Sequence, residues 1–166
     1  EYVLALEEAF HRATREDMAR ADRLKQEGRP ENWDRIYDLY RDIDRRQDQV
    51  RPLLPLADRH GIRANFRFVQ VADLLTEARE KAASYHYEEA QRYIRQAQEA
   101  GDRLAAREAY AALERTERYY RSFREKERLQ GLALELGRSH ILIAVENNAP
   151  VVLPLAVGGG GGVRKL

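Results

Sequence analysis

From Val3 to Leu136 apolar residues recur at steps of three and four, the period of an amphipathic helix, so a mostly helical chain is expected. The first stripe runs through Val3, Leu6, Phe10, Ala13, Ala21 and Leu24, is interrupted by Asp17, and stops at Gly28-Arg29-Pro30. Asn32 is placed to cap a second helix carrying Trp33, Ile36, Tyr40, Ile43, Gln47 and Val50, which Pro52 and Pro55 break. Leu56 to Arg67 is ambiguous, interrupted by Gly61. A third helix follows through Val71, Leu74, Leu75, Ala78, Ala82 and Tyr85, then a fourth through Ala90, Tyr93, Ile94 and Ala97 up to Gly101-Asp102. The fifth carries Ala106, Tyr110, Leu113, Tyr120 and Phe123, and a short sixth carries Leu129, Leu132, Ala133 and Leu136 before Gly137.

Connections of a few residues cannot cross the length of a helix, so neighbouring helices must run antiparallel. The expected fold is all-α: about six helices as stacked antiparallel hairpins. Ala105, Ala106, Ala109 and Ala112 permit close approach on the fifth helix, with Tyr93 and Tyr110 supplying bulk. Beyond Gly137 the pattern changes. Ile141-Leu142-Ile143-Ala144-Val145 and Val151-Val152-Leu153 flank Asn147-Asn148 as two β-prone runs, and Gly158 to Gly162 form a flexible-tether sequence. The expected organisation is therefore a helical domain over 1–137, a β-prone extension over 138–157 and a Gly-rich tail over 158–166. Glu1 in place of methionine points to a processed form or a fragment.

Composition narrows the function classes. With 43% hydrophobic residues in 166, one domain with its own core is expected. Charged residues make up 34%, but 29 basic against 28 acidic side chains leave a net charge of +1, which argues against direct nucleic-acid binding because phosphate contacts need uncompensated cations. The absence of cysteine excludes disulfides, thiolate zinc sites, iron–sulfur clusters and a cysteine nucleophile. No apolar run reaches the roughly 18 residues of a membrane span.

The stretch from Tyr87 to Thr116 resembles a tetratricopeptide repeat, a helix-turn-helix unit of about 34 residues. With Ala90 in the first apolar position, Tyr93 takes the next, Gly101 falls in the turn, and Ala106 and Tyr110 occupy the small and aromatic positions of the second helix. Ile94, Ala97 and Leu113 depart from the family pattern. Trp33, Ile36 and Tyr40 look like another first helix, yet Trp33 and Ala90 stand 57 positions apart, not a multiple of the repeat. The resemblance implies an irregular hairpin stack that binds other proteins. The order of helices before a β-prone segment is also similar to helical modules of bacterial cell-envelope lipoproteins, which leans localisation toward the envelope, with the cytoplasm as the alternative.

The chemistry-bearing patterns are few. Glu8 and His11 have the Glu-x-x-His spacing of ferritin-like metal sites, but no second copy occurs and Phe10 takes the apolar stripe, so no metal ligand is assigned. The run Asp38 to Asp48 alternates charge at spacings that let Asp38 pair with Arg41 and Arg45, as expected of a solvated face. Gly158 to Gly162 lacks the Gly-Lys-Ser/Thr of a phosphate loop, and no catalytic serine or zinc-protease motif occurs.

Tyrosine combines apolar area with a polar tip and is favoured at interfaces. Nine tyrosines are present. Tyr37, Tyr85, Tyr87 and Tyr119, with Arg92, Arg107 and Arg118, are the expected lining of a groove for a peptide or acidic segment. The expected assembly segment is Ile141, Ile143, Val145, Val151 and Leu153, pairing with a missing domain or a neighbouring chain. The reading is a non-enzymatic interaction or scaffold module with no cofactor, a protein or peptide partner, and self-association as a further route. Two alternatives stand beside it: a structural subunit of an envelope or extracellular assembly joined through the β segment, and a carboxylate/His metal enzyme in a helical bundle.

Overall fold

The computed structural model describes residues 2–139. Five helices occupy most of that stretch: α1 (Tyr2–Gln26), α2 (Trp33–Val50), α3 (Ala72–Ala100), α4 (Arg103–Thr116) and α5 (Lys126–Leu136). Each packs on the next in chain order, and α3 also touches α5. None is long and apolar enough to cross a membrane among the described residues. The expected strands and Gly-rich tail lie outside the described residues, as do Ile141, Ile143, Val145, Val151 and Leu153.

Local chemistry sets the helix ends. Gly28 at φ +65° turns the chain after α1, and Gly101 at φ +64° closes α3 in a left-handed conformation that costs a side-chain-bearing residue more. Asp102 then caps α4, accepting the N–H groups of Leu104 at 2.9 Å and Ala105 at 3.1 Å while Gln96 Nε2 donates to its other oxygen. Asp102→Ala is expected to lower Tm by about 3 °C and Asp102→Asn by less, measurable by thermal circular dichroism. Asn32, expected to cap α2, points the other way. Its amide donates to Leu24 O at 3.2 Å and to Glu27 Oε2 at 2.8 Å, tying the start of α2 to the end of α1.

The expected third and fourth helices are one helix, α3, because no glycine or proline interrupts Tyr85 to Ala90. Its apolar stripe is double. Leu74, Leu75 and Ala78 pack in the α1–α2 core, whereas Ala82, Ala83, Tyr87, Ala90 and Ile94 pack in the α4–α5 core, and the change of stripe reads in sequence as a new helix. Conversely, α4 stops at Thr116, short of the expected Phe123. There the Thr116 hydroxyl turns back to Leu113 O at 2.5 Å, and Arg79 Nε reaches over from α3 to Tyr119 O at 2.7 Å.

Residues 54–71 contain no helix, and a turn within them is closed by an antiparallel bridge between Ala57 and Arg63. Gln47, fully buried on α2, both donates to Val69 O at 3.1 Å and accepts from Val69 N at 2.5 Å, so one side chain replaces a strand partner for this segment. Phe66 and Phe68 then pack edge-on against Phe10. Asp17, the break in the first stripe, receives Arg46 of α2 at 2.6 Å. Leu4 and Leu6 at the start of α1 are exposed, so that stripe is buried only from Phe10 onward.

Candidate functional site

Where α2, α3 and the connection 117–125 meet, the fold collects four of the seven expected groove residues. Tyr37 and Tyr119 pack edge-on with ring centroids 5.1 Å apart, and Arg118 pairs with Asp38, so Asp38 bonds across the fold rather than to Arg41 or Arg45. Tyr85 lies next in α3 to His86, whose ring stacks on Tyr119 at 6.1 Å. At the centre is Asp34, which the sequence reading did not single out. His86 Nε2 stands 2.9 Å and 3.0 Å from its two oxygens, and the Tyr119 hydroxyl donates to it at 2.6 Å.

The electrostatics follow from that geometry. Partial burial pushes the Asp34 carboxyl up, but hydrogen bonds from His86 and Tyr119 and the charge of Arg118 outweigh it and hold the group below the ordinary carboxylate range. Burial and the adjacent Asp34 carboxylate push the Tyr119 phenol well above its ordinary value, so it remains a donor. His86 is 5% exposed, its Nε2 faces the Asp34 carboxylate, and its Nδ1 has no partner among the described residues. The cluster is a clasp that joins α2, α3 and the 117–125 connection through one carboxylate.

Beside the clasp lies an open groove of about 430 Å³, lined by Pro30, Trp33, Glu80, Lys81, Ser84, Tyr85 and Glu88. Its floor is the exposed strip of α3 and one wall is the Pro30–Trp33 entry to α2. Lys25 sits 5.4 Å from the centre of the Trp33 ring and pairs with Glu77 at 2.7 Å, fixing the indole from behind. Arg124 donates to Ser84 Oγ at 3.1 Å on the other side. Burial raises the Tyr85 phenol, and the carboxylates of Glu89 and Glu31 add to the rise, so an acidic rim surrounds this tyrosine. Neither Asp34 nor His86 lines the groove.

The remaining expected residues disperse. Tyr87 is buried against Phe123, Arg92 pairs with Glu89 at 2.8 Å, and Arg107 lies on α4. His11 accepts the Arg67 N–H at 3.1 Å, which makes it an anchor for the segment 54–71. No group of three or more metal-ligating side chains occurs among the described residues. Compared with known proteins, the chain matches no family model, no curated protein and no solved structure. Asp34 and His86 are 52 positions apart, and only the packing of α2 on α3 joins them. Of the seven expected groove residues, Tyr85 is the one that lines this groove.

Proposed function

We propose that the chain is a non-enzymatic binding module, a hairpin stack resembling tetratricopeptide repeats, whose α3 groove takes an extended segment of a protein partner. The observation that carries this reading is the groove itself: Pro30, Trp33 and Tyr85 offer apolar and aromatic surface beside Glu80 and Glu88. The clasp supports it, because a groove wall held by Asp34, His86 and Tyr119 binds without first being ordered. Of the three arginines expected to meet an acidic partner, Arg92 and Arg118 are paired with Glu89 and Asp38, and Arg107 lies apart on α4. Glu80 is paired with Arg124 at 4.0 Å and Lys81 lines the same groove, so Glu88 is the acid there with no ion pair among the described residues, and the complementary segment sets a single lysine or arginine against it next to proline or an aromatic residue.

Selection of a random peptide library on the whole chain tests this. Enriched peptides should carry that composition, and their affinity should fall about tenfold in Glu88→Lys and in Tyr85→Ala, with far-ultraviolet circular dichroism unchanged. Enriched peptides that bind both variants as tightly as the parent would place recognition elsewhere.

A further inference from the structure

A second surface, distant in sequence from the α3 groove, lies between α4 and the end of α5. It is a depression of about 290 Å³ lined by Arg107, Tyr110, Ala133, Leu134, Gly137 and Arg138. Leu134 is 53% exposed on its rim. Gly137, just past α5, lies against α4 here: a Cβ on it would stand in ordinary contact, 3.7 Å, with Ala106 Cβ and Arg107 Cγ, and 3.2 Å from Ala133 O of α5. Neither Arg107 nor Arg138 has a carboxylate within ion-pair distance among the described residues.

The chain runs on from this rim. After Arg138 and Ser139 the sequence is His140-Ile141-Leu142-Ile143-Ala144-Val145-Glu146, and from His140 to Val163 the single residue among Asp, Glu, Lys and Arg is Glu146. Ile141 is three residues past Arg138, at most about 11 Å along the chain. We propose that the segment Ile141–Glu146 of the same chain is the occupant of this depression, its apolar residues covering Leu134 and Tyr110 and its glutamate answering the two free arginines. Three features select this occupant over a separate partner. The segment is tethered at the rim, so docking is intramolecular with an effective concentration in the millimolar range. It is apolar where the depression is apolar. Its one charge is opposite in sign to the arginine pair.

Hydrogen–deuterium exchange of the whole chain, with a free peptide spanning residues 140–146 as reference, tests the assignment. Amides of Leu142 to Val145 should exchange about tenfold more slowly in the chain than in the peptide, equally at low and high protein concentration. Leu134→Asp, at an exposed position, should return them to the peptide rate with helicity retained. If that variant loses helicity, Arg107→Glu reads the same depression from its rim. Exchange at the peptide rate in the parent overturns the proposal. Protection that grows with protein concentration overturns it in favour of a second copy, and protection that survives both variants shows that the segment docks on another surface.

Discussion

Asp34→Ala is expected to destabilise the fold by about 3 kcal/mol, seen as a fall of about 10 °C in Tm. The substitution removes the acceptor for two groups at once. The Tyr119 hydroxyl loses its 2.6 Å partner, and His86, already without a partner at Nδ1, loses the one at Nε2 while remaining walled in by Tyr119 and Tyr85. Buried donors left without acceptors carry their full desolvation cost, whereas an exposed ion pair such as Arg128–Glu125 contributes little when broken. Asp34→Asn keeps one acceptor oxygen and should lose less.

The same carboxylate gives a pH signature. Its value in the folded chain lies below the ordinary 3.8, so its contribution is present in full above about pH 4 and is lost as pH falls through the folded value. The stability gap between parent and Asp34→Ala should therefore close in acid. Tyr119 acts at the other end. Its phenol is raised in the folded chain, so its contribution holds below the ordinary tyrosine value of about 10 and is lost as pH rises beyond it. Denaturant titrations of parent and variant across pH measure both limbs, and a gap that stays constant into acid would sink the argument.

Ala109→Leu is the second large effect, expected to destabilise by about 3 kcal/mol through overpacking. Ala109 has no exposure, and across the α3–α4 contact Ala83, Ala90 and Ala112 are equally enclosed. The two helices lie close because these positions carry nothing beyond a methyl group, so three added carbons have no space without separating the hairpin. Glu108→Leu, one residue away on the exposed side of α4, should change stability by less than about 0.5 kcal/mol. Equal melting of the two variants would mean that the alanines are not the determinant of the approach.

The parts of this molecule that were legible in the sequence are those set by neighbours along the chain. The period of α2 predicted most of its buried face: Ile36, Tyr40, Ile43, Gln47 and Val50 turn inward, while Trp33, first in that stripe, lines the open groove. Gly28 and Gly101 marked real helix ends, and the alanines of α4 marked a real close contact. Helix count went astray, six against five, where local pattern and tertiary contact disagree. α3 serves two cores with two stripes, and the end of α4 is set by Arg79 reaching from another helix.

The candidate site divides in the same way. Tyr37, Tyr119 and Arg118 stood out in sequence as a tyrosine-rich, arginine-bearing surface, and they do come together. Residue type announces that a tyrosine will seek a partner for its hydroxyl, since burial without one is costly, but it does not name the partner. Asp34 looked like one more acid on a charged helix, and His86 like an isolated histidine. Amphipathic periodicity, a quantity summed over adjacent residues, determined the all-α character and most of the core. The clasp and the groove beside it depend on distances between residues far apart in the chain, and those were decided only when α2, α3 and the 117–125 connection packed together.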